Sequence, residues 1–367
     1  MSKKRFMVVS GFLGAGKTTT MLALTEYINN SSKRAAIIAN DLGASNIIDA
    51  EYSGRQNVEV ATVAGICICY AEELLIERIY RLNREPKDIV MSDIPGCGLG
   101  ALEHVYGMLD EKYKDEILLA PFIVITDPER LRMIMPEKAD INLPEELKFL
   151  LEAQLKEADC IVLNKTDLLT DEEVDRYVNC LKQVRPDVPV FAISAKEKTG
   201  LAPLADYVLT AESNIDAKTD VGYYEQAFLD AEEKLSWFNR SVYITTKDES
   251  TFDGNQLADD LIDEIRNGLI ENKKNVPHLK TFSVGQEGDY GKCSLIGVDY
   301  DILHDAQLKE ANVSKMKLVV NARAVCESDL LVDIMDDAFD AIKEQYGVKI
   351  KTFFSECFGM MDEGYKE

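Results

Sequence analysis

Three short groups of residues have the types and spacing that nucleotide chemistry needs. The first runs Gly11-Phe12-Leu13-Gly14-Ala15-Gly16-Lys17-Thr18 and fits the pattern G-x-x-x-x-G-K-[ST]. Glycines let the backbone turn until successive N–H groups point at a phosphate. A lysine at this position reaches the β- and γ-phosphates, and the next hydroxyl is a Mg²⁺ ligand. We therefore predict a phosphate-binding loop made by Gly11, Gly14, Ala15, Gly16, Lys17, Thr18 and Thr19.

The second group predicts that the base is guanine. Asn164-Lys165-Thr166-Asp167 follows the apolar run 160–163, and Ser194-Ala195-Lys196 follows the apolar run 190–193. A carboxylate such as Asp167 accepts from guanine N1–H and the exocyclic amine, whereas adenine offers an acceptor at N1. We expect Asn164 to hold the other edge of the base, the stem of Lys165 to lie along the ring, and Ser194, Ala195 and Lys196 to add a further contact.

The third group could sense the γ-phosphate. Asp93-Ile94-Pro95-Gly96 ends an apolar run, so Asp93 is a candidate for holding Mg²⁺ and the N–H of Gly96 for meeting the γ-phosphate. Asp41 also follows an apolar run. It either binds Mg²⁺ or positions the attacking water, or it is only a turn residue in Asp41-Leu42-Gly43. Lys17, Asp41 and Asp93 are the catalytic candidates, and Thr18, Asp93 and Asp41 the Mg²⁺ candidates.

The composition narrows the class of protein. The chain has 367 residues, of which 46% are hydrophobic and 29% charged, an ordinary globular balance for two domains. The net charge of -24 repels nucleic acid and anionic lipid, so we expect neither as a main partner. The basic start, Lys3 to Arg5, precedes an apolar run too short for a signal peptide, and no run approaches the roughly 20 apolar residues that span a bilayer. We expect a cytoplasmic protein.

Alternation of strand-like and helix-like segments predicts the fold that positions these groups. Strands are expected at 5–10, 35–40, 58–63, 88–94, 121–126, 160–164 and 188–194, with helices between them, which gives an α/β doubly wound parallel sheet. We predict a nucleotide-binding domain over 1–211, an acidic linker or helix over 212–234, and a smaller α+β domain over 235–367. Its strands at 241–246, 279–284, 294–298, 317–322 and 348–354, with helices at 256–270 and 329–346, approximate a ferredoxin-like module with one extra strand.

Together these residues resemble the CobW family of metal-handling P-loop GTPases, relatives of UreG and HypB. The stretch from Ser10 to Thr19 is similar to that family's phosphate loop almost letter for letter, and Asn40-Asp41-Leu42-Gly43 stands where the family usually has Asn-Glu-Phe-Gly. The resemblance covers the first ~210 residues and implies a GTPase that uses Mg²⁺. By analogy it also implies a homodimer.

The family's Cys-x-Cys-Cys metal motif is altered here. Cys67-Ile68-Cys69-Tyr70 keeps two cysteines and replaces the third by tyrosine, while Cys97 lies in the switch. The resemblance implies that Cys67 and Cys69 bind a transition metal such as Zn²⁺, Co²⁺ or Ni²⁺. Cys97, which lies in the segment expected to sense GTP, is a candidate for the third thiolate. The alternative is that Cys67 and Cys69 only pack at a strand end and that Cys97 is incidental. The remaining cysteines are expected to be small buried side chains, and His104, His278 and His304 to be structural or solvated.

The resemblance implies a metallochaperone that couples GTP hydrolysis to delivery of a metal to a client metalloprotein. Two alternatives stay open. One is a GTP-dependent chaperone that gates the loading of a cofactor, for example a corrinoid, into a client enzyme without carrying metal. The other is a plain regulatory switch. Since no residue is an unambiguous activator of the attacking water, a partner or an arginine finger could supply that group.

Overall fold

The computed structural model describes residues 3–41, 58–94, 99–134, 145–214, 230–231, 233–248 and 250–359. The chain divides into two compact units, Met1–Phe228 and Leu229–Glu367. Most of the acidic segment 212–234 lies outside the described residues, so the domain boundaries proposed from the sequence stay a prediction. Among the described residues, no helix has both the length and the apolar character needed to cross a membrane.

The first unit is built on a parallel sheet of eight strands in the described part of the chain. Its order is β3-β2-β4-β1-β6-β7-β8, and β5 also pairs with β1. The strands are β1 (Lys4–Gly11), β2 (Ala35–Asp41), β3 (Val60–Ala64), β4 (Ile89–Asp93), β5 (Ile117–Leu119), β6 (Ile123–Thr126), β7 (Cys160–Leu163) and β8 (Val190–Ala192). The predicted doubly wound sheet is confirmed, and each expected strand has a counterpart with ends shifted by a few residues.

Helices cover both faces of this sheet. They are α1 (Lys17–Asn29), α2 (Glu72–Leu82), α3 (Met108–Tyr113), α4 (Pro128–Ile134), α5 (Glu145–Glu157), α6 (Asp171–Val184) and α7 (Leu201–Thr210), and a π-helical turn at Leu102–Gly107 leads into α3. Consecutive residues of β1 enter different clusters: Phe6 and Val8 join one, and Met7 and Val9 the other. The middle of β1, from Phe6 to Val9, is therefore a continuous apolar run, because both faces of the strand are buried there.

Within its described residues, the second unit is built on a six-stranded antiparallel sheet and two α-helices. The sheet order is β13-β12-β11-β15-β9-β16, and a separate short ladder joins β10 and β14. The strands are β9 (Ser236–Thr245), β10 (Phe252–Asp253), β11 (Asn275–Val284), β12 (Tyr290–Leu295), β13 (Leu303–Ala306), β14 (Asn312–Val313), β15 (Lys315–Val325) and β16 (Lys349–Gly359). The helices are α8 (Gly254–Glu271) and α9 (Ser328–Gln345).

The core of this second unit has the predicted ferredoxin-like order. Strands β16, β9, β15 and β11 are neighbours in that sequence, with α8 between β9 and β11 and α9 between β15 and β16. The hairpin β12–β13 extends the sheet beyond β11. The expected strand at 294–298 was misplaced, since β12 occupies Tyr290–Leu295. Lys292 hid it, because its charge suggests a loop, yet its side chain is buried beside Asp305, 3.1 Å away.

Candidate functional site

The loop between β1 and α1 has the backbone geometry that its glycines predict. Gly11, Gly14 and Gly16 all have positive φ, at 137°, 76° and 96°. A side chain at Gly11 would lie 2.1 Å from the carbonyl oxygen of Ile125, and one at Gly16 would lie 2.3 Å from Nδ2 of Asn164. Both positions therefore exclude a side chain through backbone conformation and through close approach of neighbouring elements.

Helix α1 begins at Lys17, directly after this loop. Among the described residues no side chain caps its N-terminus, so its first N–H groups lie at the loop. The ammonium of Lys17 donates to the carbonyl of Gly11 at 2.6 Å. Thr18 is buried and Thr19 half-buried in the same first turn. The predicted phosphate-binding residues thus form the loop after β1 and the first turn of α1.

The residues predicted to read guanine follow β7 and β8, the strands at one end of the sheet. Because parallel strands share one carboxyl edge, these residues lie on the same edge as the phosphate loop. The side chain of Asn164 donates to the carbonyl of Ala15 at 3.0 Å and accepts from the main-chain N–H of Ala195 at 3.0 Å. Asn164 therefore ties the phosphate loop to the Ser194–Lys196 turn, a bracing role that the sequence did not indicate.

Asp167 is exposed, but its carboxylate is held in a defined orientation. The buried hydroxyl of Ser194 donates to Oδ1 of Asp167 at 2.6 Å, and that hydroxyl accepts from the main-chain N–H of Glu197 at 3.0 Å. Lys196 is exposed in the same turn. A carboxylate fixed in this way can accept two parallel N–H groups from a ring edge, which is the pattern that guanine presents.

A buried charge cluster beneath the loop was missed by the sequence reasoning. Asp127 is fully buried after β6, and its Oδ2 lies 2.5 Å from Nζ of Lys165 and 3.7 Å from Nη1 of Arg130. Lys165 also donates to the carbonyl of Gly14 at 2.7 Å, and Nε of Arg130 donates to the carbonyl of Leu13 at 2.9 Å. These two cations therefore hold two successive carbonyls of the phosphate loop.

The charges in this cluster depend on one another. Burial alone would raise the pKa of Asp127, but Lys165 and Arg130 outweigh it and lower that pKa below its usual value. Burial in turn lowers the pKa of Lys165, although Asp127 opposes this change. The aspartate is thus ionised at neutral pH, and its charge compensates the cations that would otherwise be buried alone. A strand-end aspartate followed three residues later by arginine was the available signal in the sequence.

Asp93 and Asp41 end two neighbouring strands close to the phosphate loop. Asp93 is buried, faces Val9 of β1 in register, and accepts the main-chain N–H of Asn40 on Oδ1 at 2.9 Å. Asp41 ends β2 and is half-buried, and its carbonyl accepts from the N–H of Gly65 at 3.0 Å. Both carboxylates lie at the carboxyl edge of the sheet. Gly96 lies outside the described residues.

Cys67 and Cys69 lie in a turn between β3 and α2 that is anchored by Asn40. The amide of Asn40 donates to the carbonyls of Val63 and Ile66 at 3.1 and 2.8 Å, and it accepts from the N–H of Ile68 at 3.0 Å. Three hydrogen bonds from one buried side chain thus fix the backbone on both sides of Cys67. The sequence did not indicate this role for Asn40.

The two thiols share a proton asymmetrically. A hydrogen bond from Cys69 lowers the pKa of Cys67, and the same contact raises the pKa of Cys69 well above its usual range. The main-chain N–H of Cys69 adds a contact of 3.4 Å to the sulfur of Cys67. Cys67 is consequently the better thiolate of the pair, and thiolate is the form that binds a transition metal.

A third ligand for these cysteines is not found among the residues that the structure describes, where the one three-ligand cluster lies in the second unit. Cys97, the candidate third ligand, lies outside the described residues. Tyr70, which stands at the third cysteine position, is 67% exposed and packs against His104, with ring centroids 5.7 Å apart. The described part of the site therefore offers two sulfur ligands.

The nucleotide-binding part of the chain matches a known protein family. The family profile described as "CobW/HypB/UreG, nucleotide-binding domain" matches residues 5–192, about half of the chain. That range includes the phosphate loop, Asp93, the cysteine turn and the Asn164–Asp167 tetrad.

Named relatives each match about half of the chain. The chain is 27% identical to zinc-regulated GTPase metalloprotein activator 1 of Schizosaccharomyces pombe over 48% of this chain and 44% of that protein. It is 29% identical to the zinc chaperone YeiR of Escherichia coli over 46% of this chain and 48% of that protein. It is also 27% identical to the zinc chaperone CobW of a Sinorhizobium species over 49% of this chain and 54% of that protein.

The chain spans about half the length of the curated relatives it matches. The family match covers a nucleotide-binding domain whose glycine loop, strand-end carboxylates and Asn164–Asp167 tetrad meet at one edge of a parallel sheet. By this match the chain belongs to the CobW/HypB/UreG family.

Proposed function

We propose that this protein hydrolyses GTP and uses the cycle to deliver a transition metal ion to a client metalloprotein. Zinc is the first choice of metal, because three relatives are named for zinc. The observation that carries the proposal is the position of Asn40. Its main chain contacts the carboxylate of Asp93 and its side chain anchors the turn of Cys67 and Cys69. A nucleotide-dependent movement at Asp93 would therefore reach the cysteines through one residue.

The nucleotide would be held by the residues that meet at the carboxyl edge. Lys17 and the N–H groups of the loop would bind the phosphates, and Asp167 would accept from guanine. Residues proposed to surround the nucleotide are Gly11, Gly14, Ala15, Gly16, Lys17, Thr18, Thr19, Gly96, Asn164, Lys165, Asp167, Ser194, Ala195 and Lys196.

Mg²⁺ fits the oxygen donors at this edge. The hydroxyl of Thr18 and the buried carboxylate of Asp93, with Asp41 as a further candidate, are the hard ligands that this ion prefers. When bound, the ion neutralises charge that develops on the β- and γ-phosphates. In hydrolysis, water attacks the γ-phosphorus as the bond to the bridging oxygen breaks, giving GDP and inorganic phosphate. Lys17 would stabilise the departing charge, and Asp41 could orient the water.

The transition metal would bind at Cys67 and Cys69, with Cys97 as the proposed third ligand. Thiolates favour Zn²⁺, Co²⁺ or Ni²⁺ over Mg²⁺, so cargo and catalytic ion would not compete for one site. Loading with GTP would hold the Asp93 segment and the cysteine turn in one arrangement. Hydrolysis would release that arrangement and weaken the metal site, which is how the ion would pass to a client.

GTP turnover with matched variants tests the enzymatic half of this proposal. Lys17→Ala should reduce the rate of phosphate release by about 10³-fold or more, because a phosphate-loop lysine stabilises the transition state. Lys33→Ala removes an exposed lysine beyond the end of α1 and should leave the rate unchanged. Turnover in Lys17→Ala that matches the parent protein would contradict GTP hydrolysis at this loop.

GTP-dependent binding of a client protein and formation of a homodimer are separate proposals. Pull-down experiments test the first, and sedimentation tests the second.

A further inference from the structure

We propose that the second unit carries a transition-metal site of its own, formed by Asp259, Cys293 and His304. The ligand atoms of these three residues all lie within 4.8 Å of one another. Asp259 belongs to α8, Cys293 to β12 and His304 to β13. The site shares no residue with the nucleotide edge or with the Cys67–Cys69 turn, so it goes beyond the function proposed above.

The hairpin β12–β13 places two of the ligands side by side. Cys293 and His304 are directly opposite each other on antiparallel strands, so their side chains leave the same face of the sheet. The register shifts next to this pair: Lys292 faces Ala306, which leaves Asp305 as an extra residue on β13. Such a bulge re-aims the neighbouring side chains. The ion pair between Asp305 and the buried Lys292 stabilises this bulge.

Helix α8 supplies the third ligand from above this face. Nε2 of His304 lies 2.9 and 3.0 Å from the two carboxylate oxygens of Asp259. The imidazole is therefore already oriented toward the carboxylate, and Cys293 lies beneath them in the core. The side chains of His304 and Asp259 are 35% and 22% exposed, which leaves one side open to solvent as an entry path.

The donor set selects the kind of ion. One sulfur, one imidazole nitrogen and one carboxylate oxygen form a mixed set typical of Zn²⁺, whereas Mg²⁺ and Ca²⁺ take oxygen ligands. Zinc bonds of about 2.0–2.3 Å in tetrahedral geometry separate ligand atoms by roughly 3.3–3.8 Å, so rotations that move these atoms by about 1 Å would complete the site. Binding would replace the contact between His304 and Asp259 by two bonds to the ion, and it would release the proton of the Cys293 thiol.

Three protein ligands leave the fourth position to water or to a ligand from another molecule. Structural zinc sites are usually closed by four protein ligands, and sites that exchange or transfer keep an open position. The partly exposed imidazole also favours exchange over permanent burial. We therefore assign this site to an exchangeable divalent ion of the Zn²⁺ or Co²⁺ type.

Cobalt titration of the full-length chain tests the site directly. The starting protein carries Cys67→Ser, Cys69→Ser and Cys97→Ser, so the cysteines of the first unit cannot contribute. One equivalent of Co²⁺ should then give thiolate-to-cobalt charge-transfer absorption in the near ultraviolet, and Zn²⁺ should abolish it. Adding Cys293→Ser should remove the band, and adding His304→Gln or Asp259→Asn should weaken cobalt binding by about 10-fold or more.

Matched controls separate a metal site from general damage. Cys326→Ser changes another buried cysteine of this unit, and His278→Gln changes a histidine of β11 in the same sheet. Both should keep the band. Because Cys293 is buried, His304→Gln carries the test if Cys293→Ser fails to fold. Absence of a thiolate–cobalt band in the starting protein, or a band that survives His304→Gln at unchanged affinity, would overturn the site. Either result would leave GTP turnover and binding at Cys67 and Cys69 untouched.

Discussion

The main-chain N–H of Asn40 donates a 2.9 Å hydrogen bond to Oδ1 of Asp93, joining the ends of two neighbouring strands. The side chain of the same asparagine makes one hydrogen bond to Val63 at the end of β3 and two to the turn that carries Cys67 and Cys69. A carboxylate proposed to hold Mg²⁺ and a thiol pair proposed to hold cargo are thus attached to one residue. This connection is the physical basis of the coupling that we propose between nucleotide and metal.

Asn40→Ala should uncouple the two sites. The variant keeps its main-chain contact with Asp93 but frees the cysteine turn, so zinc affinity should no longer differ between GTP-bound and GDP-bound protein. Leaving the buried partners unsatisfied should also lower the free energy of unfolding by about 1–3 kcal/mol. Isothermal titration with zinc in each nucleotide state measures the first effect, and denaturant unfolding the second.

Asn29→Ala is the matched control for that variant. Asn29 also braces main-chain groups with its amide, at Ala35, but it lies at the end of α1 away from the cysteine turn. It should lose stability without changing the response of zinc affinity to nucleotide. Equal responses to nucleotide in the parent and in Asn40→Ala would contradict the coupling role of Asn40.

Asp167→Asn should change the base that the site prefers. The new amide N–H meets the exocyclic amine of guanine unfavourably but can donate to the C2 carbonyl of xanthine. GTP binding should therefore weaken and binding of xanthosine triphosphate should strengthen. Ser194→Ala should weaken GTP binding by about 5–10-fold, since it removes one hydrogen bond that orients the carboxylate. Competition binding with GTP, ATP and xanthosine triphosphate checks both.

Asp171→Asn serves as the control for the loss of a nearby charge, because it is exposed in the first turn of α6. Its base preference should be that of the parent. If Asp167→Asn bound GTP and xanthosine triphosphate with the parent's ratio, the guanine assignment would fail.

Asp127→Asn should destabilise the first unit. Two cations would remain buried without their counter-charge, which costs about 3–5 kcal/mol of unfolding free energy. GTP binding should weaken as well, because Lys165 and Arg130 hold the carbonyls of Gly14 and Leu13. Thermal unfolding and GTP binding of the variant measure these two effects.

The same cluster predicts a pH dependence. The pKa of Asp127 is lower in the folded than in the unfolded chain, so its stabilisation is complete above the unfolded value near ~3.9 and is lost as pH falls through the folded value. The difference in unfolding free energy between the parent and Asp127→Asn should be constant from neutral pH to about pH 5 and shrink below about pH 4. A difference that stayed constant down to pH 2 would refute the linkage.

Motifs with local geometry could be predicted from the sequence, and contacts between distant segments could not. The glycine loop and the strands around it follow from neighbouring residues, because backbone conformation and burial on both faces leave a direct pattern. The spacing of Asp127 and Arg130 was visible in the sequence, but the contact of Arg130 with the phosphate loop was not. Arg130 reaches Leu13 across 117 positions of the chain, and only the parallel sheet brings the two together.

The proposed metal site of the second unit also depends on contacts between segments that are separate in the sequence. Cys293 and His304 stand apart in the sequence, and each alone predicts a buried thiol or a solvated ring. The bulged hairpin and α8 bring them beside Asp259, so the cluster is visible only in three dimensions. The roles proposed for Gly96 and Cys97 remain predictions, since both residues lie outside the described part of the chain.

Zinc affinity measured in two nucleotide states tests the central claim most directly. The protein carries Cys293→Ser with His304→Gln, so that the site proposed in the second unit does not contribute. It is loaded with a non-hydrolysable GTP analogue or with GDP and titrated with Zn²⁺, beside the same protein with Cys67→Ser and Cys69→Ser added. A coupling of 1–3 kcal/mol is typical of linked sites, so we predict zinc binding about 5–150-fold tighter in the GTP-like state and lost when Cys67 and Cys69 are replaced. Equal zinc affinity in both states, or zinc binding at unchanged affinity without Cys67 and Cys69, would contradict the account.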